Sequence, residues 1–321
     1  MTAAVSLPTA TRRGDWESCD PAWTGIREET LHVRGHPVTV LRHDATGPGI
    51  PQLFIHGLGG SACNWLDVLR PLSAHGATVG VDLPGFGSTE VPEGGSARVR
   101  ANVGFVGALL EELGWDEVVL FGNSMGGLIA TLAAARYPEA VRGLVLVNPA
   151  LPAPRRDMWR IPARAISRVL PAAMPGVGPL VVEVVMRTRT AEELIDDSFA
   201  SVLANVSCVR PSMRAALVDS LEAARVNRWR RRALVEAASS LVVMLADGRE
   251  ALAAVDAVTA PTLLLWGDAD RLISAHVIAG LVERRSDWDQ HVFGEIGHAP
   301  MLECPDVFVE VVTSWYARHG L

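Results

Sequence analysis

The chain has no lysine: all 29 of its basic residues are arginine. That removes Schiff-base chemistry, a PLP anchor and a P-loop lysine from consideration. Cysteine is sparse as well. Cys19, Cys63, Cys208 and Cys304 lie far apart and form no C-x-x-C, so the expectation is four reduced thiols. There is no H-E-x-x-H and no G-x-G-x-x-G after the first βα strand. Neither a metal nor a nucleotide cofactor is therefore expected. The formal net charge of −7 gives no electrostatic case for a nucleic-acid partner. No apolar run reaches membrane-spanning length, and Met1 to Trp23 lacks the basic-then-apolar pattern of a secretion signal. The expected setting is cytoplasmic, with no membrane span; the oligomeric state is left open.

What the chain does have is a rhythm. Apolar runs at Gln52-Leu53-Phe54-Ile55, Ala77-Thr78-Val79-Gly80-Val81, Val118-Val119-Leu120-Phe121 and Leu144-Val145-Leu146-Val147 alternate with helical stretches. Continuous apolar strands alternating with helices predict an α/β fold: a mostly parallel sheet with helices on both faces. Upstream, two alternating runs within residues 28–42, split by Gly35-His36-Pro37, predict a hairpin, and residues 1–25 read as an irregular arm. The rhythm stops at Pro149 and resumes at Pro261-Thr262-Leu263-Leu264-Leu265-Trp266-Gly267. The 321 residues thus divide into a first core part, 1–150, a helical insertion, 151–247, and a second core part, 248–321.

The chemistry gathers at strand ends. Gly122-Asn123-Ser124-Met125-Gly126 is G-x-S-x-G directly after an apolar strand. Small residues there permit a sharp strand-to-helix turn that exposes a serine hydroxyl beside backbone N–H groups. Ser124 is the candidate nucleophile, and it needs a base. Of nine histidines, His298 in Gly297-His298-Ala299-Pro300 is placed for that task, after the last predicted strand and before the last helix. Asp270, just past the 262–266 strand, is the candidate acid that would hold the imidazole in one tautomer, with Asp268 as its rival. Backbone N–H groups of Leu58 and Met125 are the candidate oxyanion donors. Within the insertion, Arg155, Arg156, Arg160, Arg164 and Arg168, and then Arg228, Arg230, Arg231 and Arg232, read either as an anion-binding mouth or as solvated helix faces. Met158, Trp159, Met174, Met186 and Met213 read as pocket lining or core.

Five strings carry a resemblance: His56-Gly57-Leu58-Gly59-Gly60, Asp82-Leu83-Pro84-Gly85-Phe86-Gly87-Ser88, Gly122 to Gly127, Trp266-Gly267-Asp268-Ala269-Asp270 and Gly297-His298. Together, and in this order, they resemble the α/β-hydrolase superfamily over about 28–150 and 250–320. The resemblance implies an eight-stranded sheet, a helical cap after the sixth strand and a Ser124-Asp270-His298 triad. Serine at 124 sets the chain apart from members that use a carboxylate or a thiol there. The implied activity is hydrolysis of a carboxylic ester of a small or medium-size apolar substrate through an acyl-enzyme. The elbow is also similar to that of meta-cleavage C–C bond hydrolases. Those usually carry a Gly-Pro-Gly loop and a Trp after the histidine, where this chain has Gly57-Leu58-Gly59-Gly60 and Ala299. C–C hydrolysis is the alternative, and a non-catalytic ligand receptor on the same fold is the alternative from another class.

Overall fold

The computed structural model describes residues 16–152, 169–174, 176–225 and 229–321. Eight strands form one sheet: β1 (Arg27–Val33), β2 (His36–His43), β3 (Gln52–Ile55), β4 (Thr78–Val81), β5 (Val118–Asn123), β6 (Val141–Val147), β7 (Thr262–Gly267) and β8 (Asp289–Phe293). Their spatial order is β1-β2-β4-β3-β5-β6-β7-β8. β2 runs antiparallel to both β1 and β4, and every other neighbouring pair is parallel. The β1–β2 hairpin turns at Arg34 and Gly35, with φ of 50° and 82°. Two consecutive left-handed residues match the right-handed twist of the flanking strands.

The longer helices are α1 (Leu66–Leu72), α2 (Val99–Leu113), α3 (Met125–Arg136), α4 (Gly178–Thr188), α5 (Ala191–Val202), α6 (Pro211–Arg225), α7 (Trp229–Asp247), α8 (Arg249–Ala257), α9 (Ala275–Arg284) and α10 (Pro305–His319). Successive strand side chains point to opposite faces, so the apolar runs divide between two cores. Leu53, Ile55, Leu120, Leu146 and Leu264 pack under α2, α3, α8 and α9. Phe54, Val119, Phe121, Val147 and Leu265 pack under α1 and α10. The second core is the aromatic one: Phe54 and Phe121 stack at 4.2 Å, and Trp65, Trp315 and Phe308 are fully buried around them.

Every described element between β6 and β7 is helical. These helices straddle the sheet: α5 and α6 supply Phe199, Met213 and Leu217 to the aromatic core, while α7 supplies Ala233, Ala237 and Leu241 to the other. Of the stretch 1–25 that reads as an irregular arm, residues 1–15 lie outside the described residues, and residues 16–25 are more regular than that expectation. Trp16–Cys19 forms one helical turn and Pro21–Trp23 a 3-10 turn, because Trp16 and Trp23 are buried and Trp23 Nε1 donates to Asp67 at 2.7 Å. Because β3, β5, β6, β7 and β8 are all parallel, the loops that follow them emerge along one rim. In open parallel sheets that rim is where ligands bind.

Candidate active site

The elbow comes first. β5 ends at Asn123 and α3 begins at Met125, which leaves Ser124 as the whole connection, at φ 55° and ψ −118°. A non-glycine residue in this region is strained, and such strain is typical of a nucleophile turn. Two glycines make it possible by close approach. A Cβ on Gly122 would lie 2.3 Å from the Gly126 carbonyl oxygen, and one on Gly126 would lie 2.2 Å from that of Ile55.

The candidate acid and base meet. His298 Nδ1 donates to Asp270 Oδ2 at 2.7 Å, with the Asp270 side chain fully buried and that of His298 nearly so. Asp270 is held as an acceptor on both oxygens. Oδ1 takes the N–H groups of Leu272 at 2.7 Å and Ile273 at 3.0 Å, and Oδ2 also takes the Asn148 amide. Burial alone would raise its pKa. The facing imidazole and these hydrogen bonds outweigh burial, and the carboxyl sits below its ordinary value. Asp268 lies on the other side of the turn, exposed, and its Oδ1 accepts the Glu295 N–H at 2.6 Å. Asp270, then, faces the imidazole and Asp268 does not.

The backbone of His298 is pinned at both ends. Its N–H donates to the Val202 carbonyl at 2.6 Å, and its carbonyl accepts from Asn123 Nδ2 at 3.1 Å. The same Asn123 amide reaches the Val147 carbonyl at 3.1 Å. Among the described residues the Ser124 hydroxyl makes no hydrogen bond, and the N–H groups of Leu58 and Met125 have no protein acceptor. The loop bearing Leu58 passes close by: a Cβ on Gly57 would lie 3.1 Å from the Ser124 Cβ. His56 braces that loop. Its Nδ1 donates to the Gly57 carbonyl at 2.7 Å and its Nε2 accepts the Leu83 N–H at 3.1 Å, which fixes one neutral tautomer. Complete burial pushes its pKa down to about 4.

Asn123, Asn148 and Val202 were not singled out by sequence reading. Asn148 occupies the position directly after β6 and supplies an amide to the candidate acid that follows β7. Of the arginines, Arg155, Arg156, Arg160, Arg164, Arg168 and Arg228 lie outside the described residues, as do Met158 and Trp159. Arg231 and Arg232 pair with Glu183 and Glu236 as a half-exposed charged face. Arg230 differs. It is buried, its guanidinium 3.4 Å from the Gly59 carbonyl, and burial brings its pKa down to about 10 against the opposing pull of Asp82. Met213 is core, whereas Met174 is exposed. All four cysteines are free, and Cys63, buried beside Asp82, has its thiol pushed up to about 12. Among the described residues no group of three or more His, Cys, Asp or Glu is arranged to hold a metal ion, and no helix is long and apolar enough to cross a membrane.

A strained serine turn at the end of a central parallel strand, with an Asp–His pair on the same rim, defines a hydrolase class. The chain belongs to the α/β-hydrolase family: the model described as "alpha/beta hydrolase fold" matches residues 51–305. Among curated relatives it is similar to the 2-hydroxy-6-oxo-2,4-heptadienoate hydrolase of Pseudomonas putida, 28% identical over 86% of this chain and 91% of that one. It is also similar to the pimeloyl-[acyl-carrier protein] methyl ester esterase of Shewanella woodyi, 26% identical over 86% of this chain and 97% of the other. Among solved structures, the 2-hydroxy-6-oxo-6-phenylhexa-2,4-dienoate hydrolase of a Rhodococcus species superposes with a TM-score of 0.71 at 20% identity, covering 91% of this chain and 99% of that one. That last likeness is one of fold.

Proposed function

We propose that this hydrolase cleaves a carboxylic ester of a small or medium-size apolar substrate, with Ser124 as nucleophile, His298 as base and Asp270 as the acid that orients it. The observation that carries this reading is the fully satisfied Asp270 anion bonded to His298 Nδ1. A carboxylate so held fixes the proton on Nδ1 and leaves Nε2 free to accept one. Ser124 attacks the acyl carbonyl as Nε2 takes its proton. Leu58 and Met125 N–H receive the oxyanion; both are unclaimed among the described residues. His298 then protonates the leaving alcohol and activates water for deacylation. In this reading the Ser124–His298 hydrogen bond forms only when substrate binds.

The helical segment, read as a cap over residues 151–247, is the element assigned to substrate selection. An esterase and a lipase among the relatives support the ester reading. The alternative rests on a specific finding: relatives named as 2-hydroxy-6-oxo-dienoate hydrolases match this chain at similar identity. The residues that resemblance would add are missing, since Leu58 and Ala299 stand where C–C hydrolases carry Pro and Trp. The deciding experiment is fluorophosphonate labelling, followed by a panel of p-nitrophenyl esters and vinylogous 1,5-diketones. Labelling at Ser124 with turnover of esters supports the proposal. Turnover of the diketones alone replaces it with the C–C reading, and tight ligand binding without turnover of either class replaces it with a receptor.

A further inference from the structure

The loop that carries His298 is held on one side by the turn after β7 and on the other by the helical segment. On the first side, Ala269 N–H donates to the Ile296 carbonyl at 3.0 Å, and Asp268 accepts the Glu295 N–H. On the second, the holding group is a side chain with no part in the mechanism so far. Glu303 ends the single helical turn Pro300–Glu303 that follows the base, and it is buried. Its Oε1 accepts the N–H of Gly297 at 2.8 Å. Its Oε2 accepts the N–H groups of Ala204 at 2.9 Å and Asn205 at 3.0 Å, just beyond the end of α5. One carboxylate therefore joins the residue before the base to the helical insertion. The adjacent His298 N–H makes the same crossing directly, to Val202. The fit leaves no slack. A Cβ on Gly297 would lie 2.5 Å from the Val202 carbonyl oxygen, 2.6 Å from Ala204 N and 2.8 Å from Glu303 Oε1.

Three N–H donors converge on one buried side chain, and among the described residues no cation pairs with it. Only an acceptor at both ends of the group satisfies all three. Glutamine, the nearest isostere, would turn an NH2 toward one set of donors and leave buried N–H groups unpaired. The carboxylate also spans elements that the sequence separates by about a hundred residues, so its effect is to fix the position of one against the other.

We propose that Glu303 is a positioning residue: it sets where His298 stands relative to Ser124 and makes the helical insertion part of the support of the base. This rests on the assignment of Ser124 and His298 above. A base displaced by about 1 Å forfeits on the order of a hundredfold in rate without loss of binding. The consequence is that the insertion acts on kcat through 202–205 as well as on substrate choice.

The test is Glu303→Gln, with Ser124→Ala and His298→Ala alongside, in the full chain. With the best p-nitrophenyl ester found, Glu303→Gln is expected to lower kcat roughly 10- to 100-fold while KM changes less than about threefold. Its fluorophosphonate inactivation rate should fall in parallel, and the downfield proton resonance of the His298–Asp270 bond should shift or broaden. If Glu303→Gln does not fold, Glu303→Asp, which keeps the charge but shortens the reach, carries the same expectation. A lower melting temperature with kcat, labelling and the resonance unchanged would make Glu303 merely structural and overturn the inference, as would a loss confined to KM. If Ser124→Ala and His298→Ala stay active, the catalytic reading itself has failed. If those two are dead while Glu303→Gln keeps its kcat, only this inference has.

Discussion

The rim of the sheet and the helical insertion are built on different physics. At the rim, the candidate site residues are placed by the strands they follow: Ser124 directly after β5, Asp270 in the turn after β7 and His298 in the turn after β8. In the insertion, position follows from which face of a helix turns inward. Arg230, Arg231 and Arg232 are consecutive, yet the first is buried and the other two are paired with acids at the surface. Several apolar side chains of the insertion face outward, Leu180 at 65% exposure and Val243 at 67% among them. Strand alternation and elbow spacing are read directly from residue order. A helix face, turning about 100° per residue, is decided by partners elsewhere in the chain.

The comparison breaks first if the rim can be disturbed without loss. Asp270→Asn keeps the shape of the carboxylate but offers an NH2 where the His298 Nδ1 proton must go. Activity should fall by up to ~10⁴ with little change in melting temperature. Steady-state kinetics beside a thermal melt checks this, and near-full activity would move the acid role elsewhere. Asn148→Ala removes one donor from the same carboxylate and leaves the other three in place. A smaller loss is expected, on the order of tenfold in kcat, the scale of one charge-assisted hydrogen bond.

Stability gives the next contrast. Gly126 sits where a Cβ would meet the Ile55 backbone at 2.2 Å, and a backbone oxygen cannot rotate away as a side chain would. Gly126→Ala should therefore destabilise by about 3 kcal/mol or fail to accumulate, as overpacked buried positions do. Chemical denaturation or soluble yield measures it; an unperturbed midpoint would mean that the elbow has room the structure does not show.

His56 supplies a pH dependence. Its folded pKa, about 4, lies below the ordinary 6.5. The unfolded chain thus binds more protons between those values. Its contribution is complete above pH 6.5 and is lost as pH falls toward 4, roughly 3 kcal/mol in all. Asp82, raised to about 6 by burial, works with the opposite sign in the same window, gaining stability as pH falls. The informative quantity is the difference between wild type and His56→Gln: the variant should show a flatter or inverted dependence of unfolding free energy on pH between 7 and 4. Parallel curves would show that His56 is not held neutral.

These cases mark what was legible. The elbow and the alternation of apolar strands with helices follow from spacing and apolar runs, because each is a local pattern; the candidate acid and base are placed by their positions after strands, and the count of eight strands comes from the family resemblance. Asn123, Asn148 and Glu303 were not legible. Each is a polar side chain whose partners are backbone or carboxylate groups far away in sequence, brought within reach only once β5, β6 and the 202–205 segment are packed. Trp16 and Trp23 follow the same logic on the apolar side. A loop-like composition hides two aromatic anchors whose burial depends on α1 and α6.

The smallest expected effect falls on the arginine run. Arg232 pairs with Glu236 across one helical turn at 2.7 Å, with 64% of its side chain exposed. Exposed pairs at this spacing contribute about 0.3–0.5 kcal/mol, because solvent screens the attraction and the long side chain gives up rotamer freedom. Glu236 keeps other work when the arginine is gone: it still accepts from Ser96 Oγ at 2.8 Å and from the Ala97 N–H at 3.1 Å, tying α7 to the loop before α2. Arg232→Ala should therefore shift the denaturation midpoint barely beyond error. Glu236→Ala should cost more, since it strips the Ala97 N–H and the Ser96 hydroxyl of their acceptor. Denaturant melts of the two variants measure that inequality directly. If Arg232→Ala proved the more damaging, the charged face of α7 would be organised around the cation, and the contrast between its outward arginines and buried Arg230 would have to be redrawn.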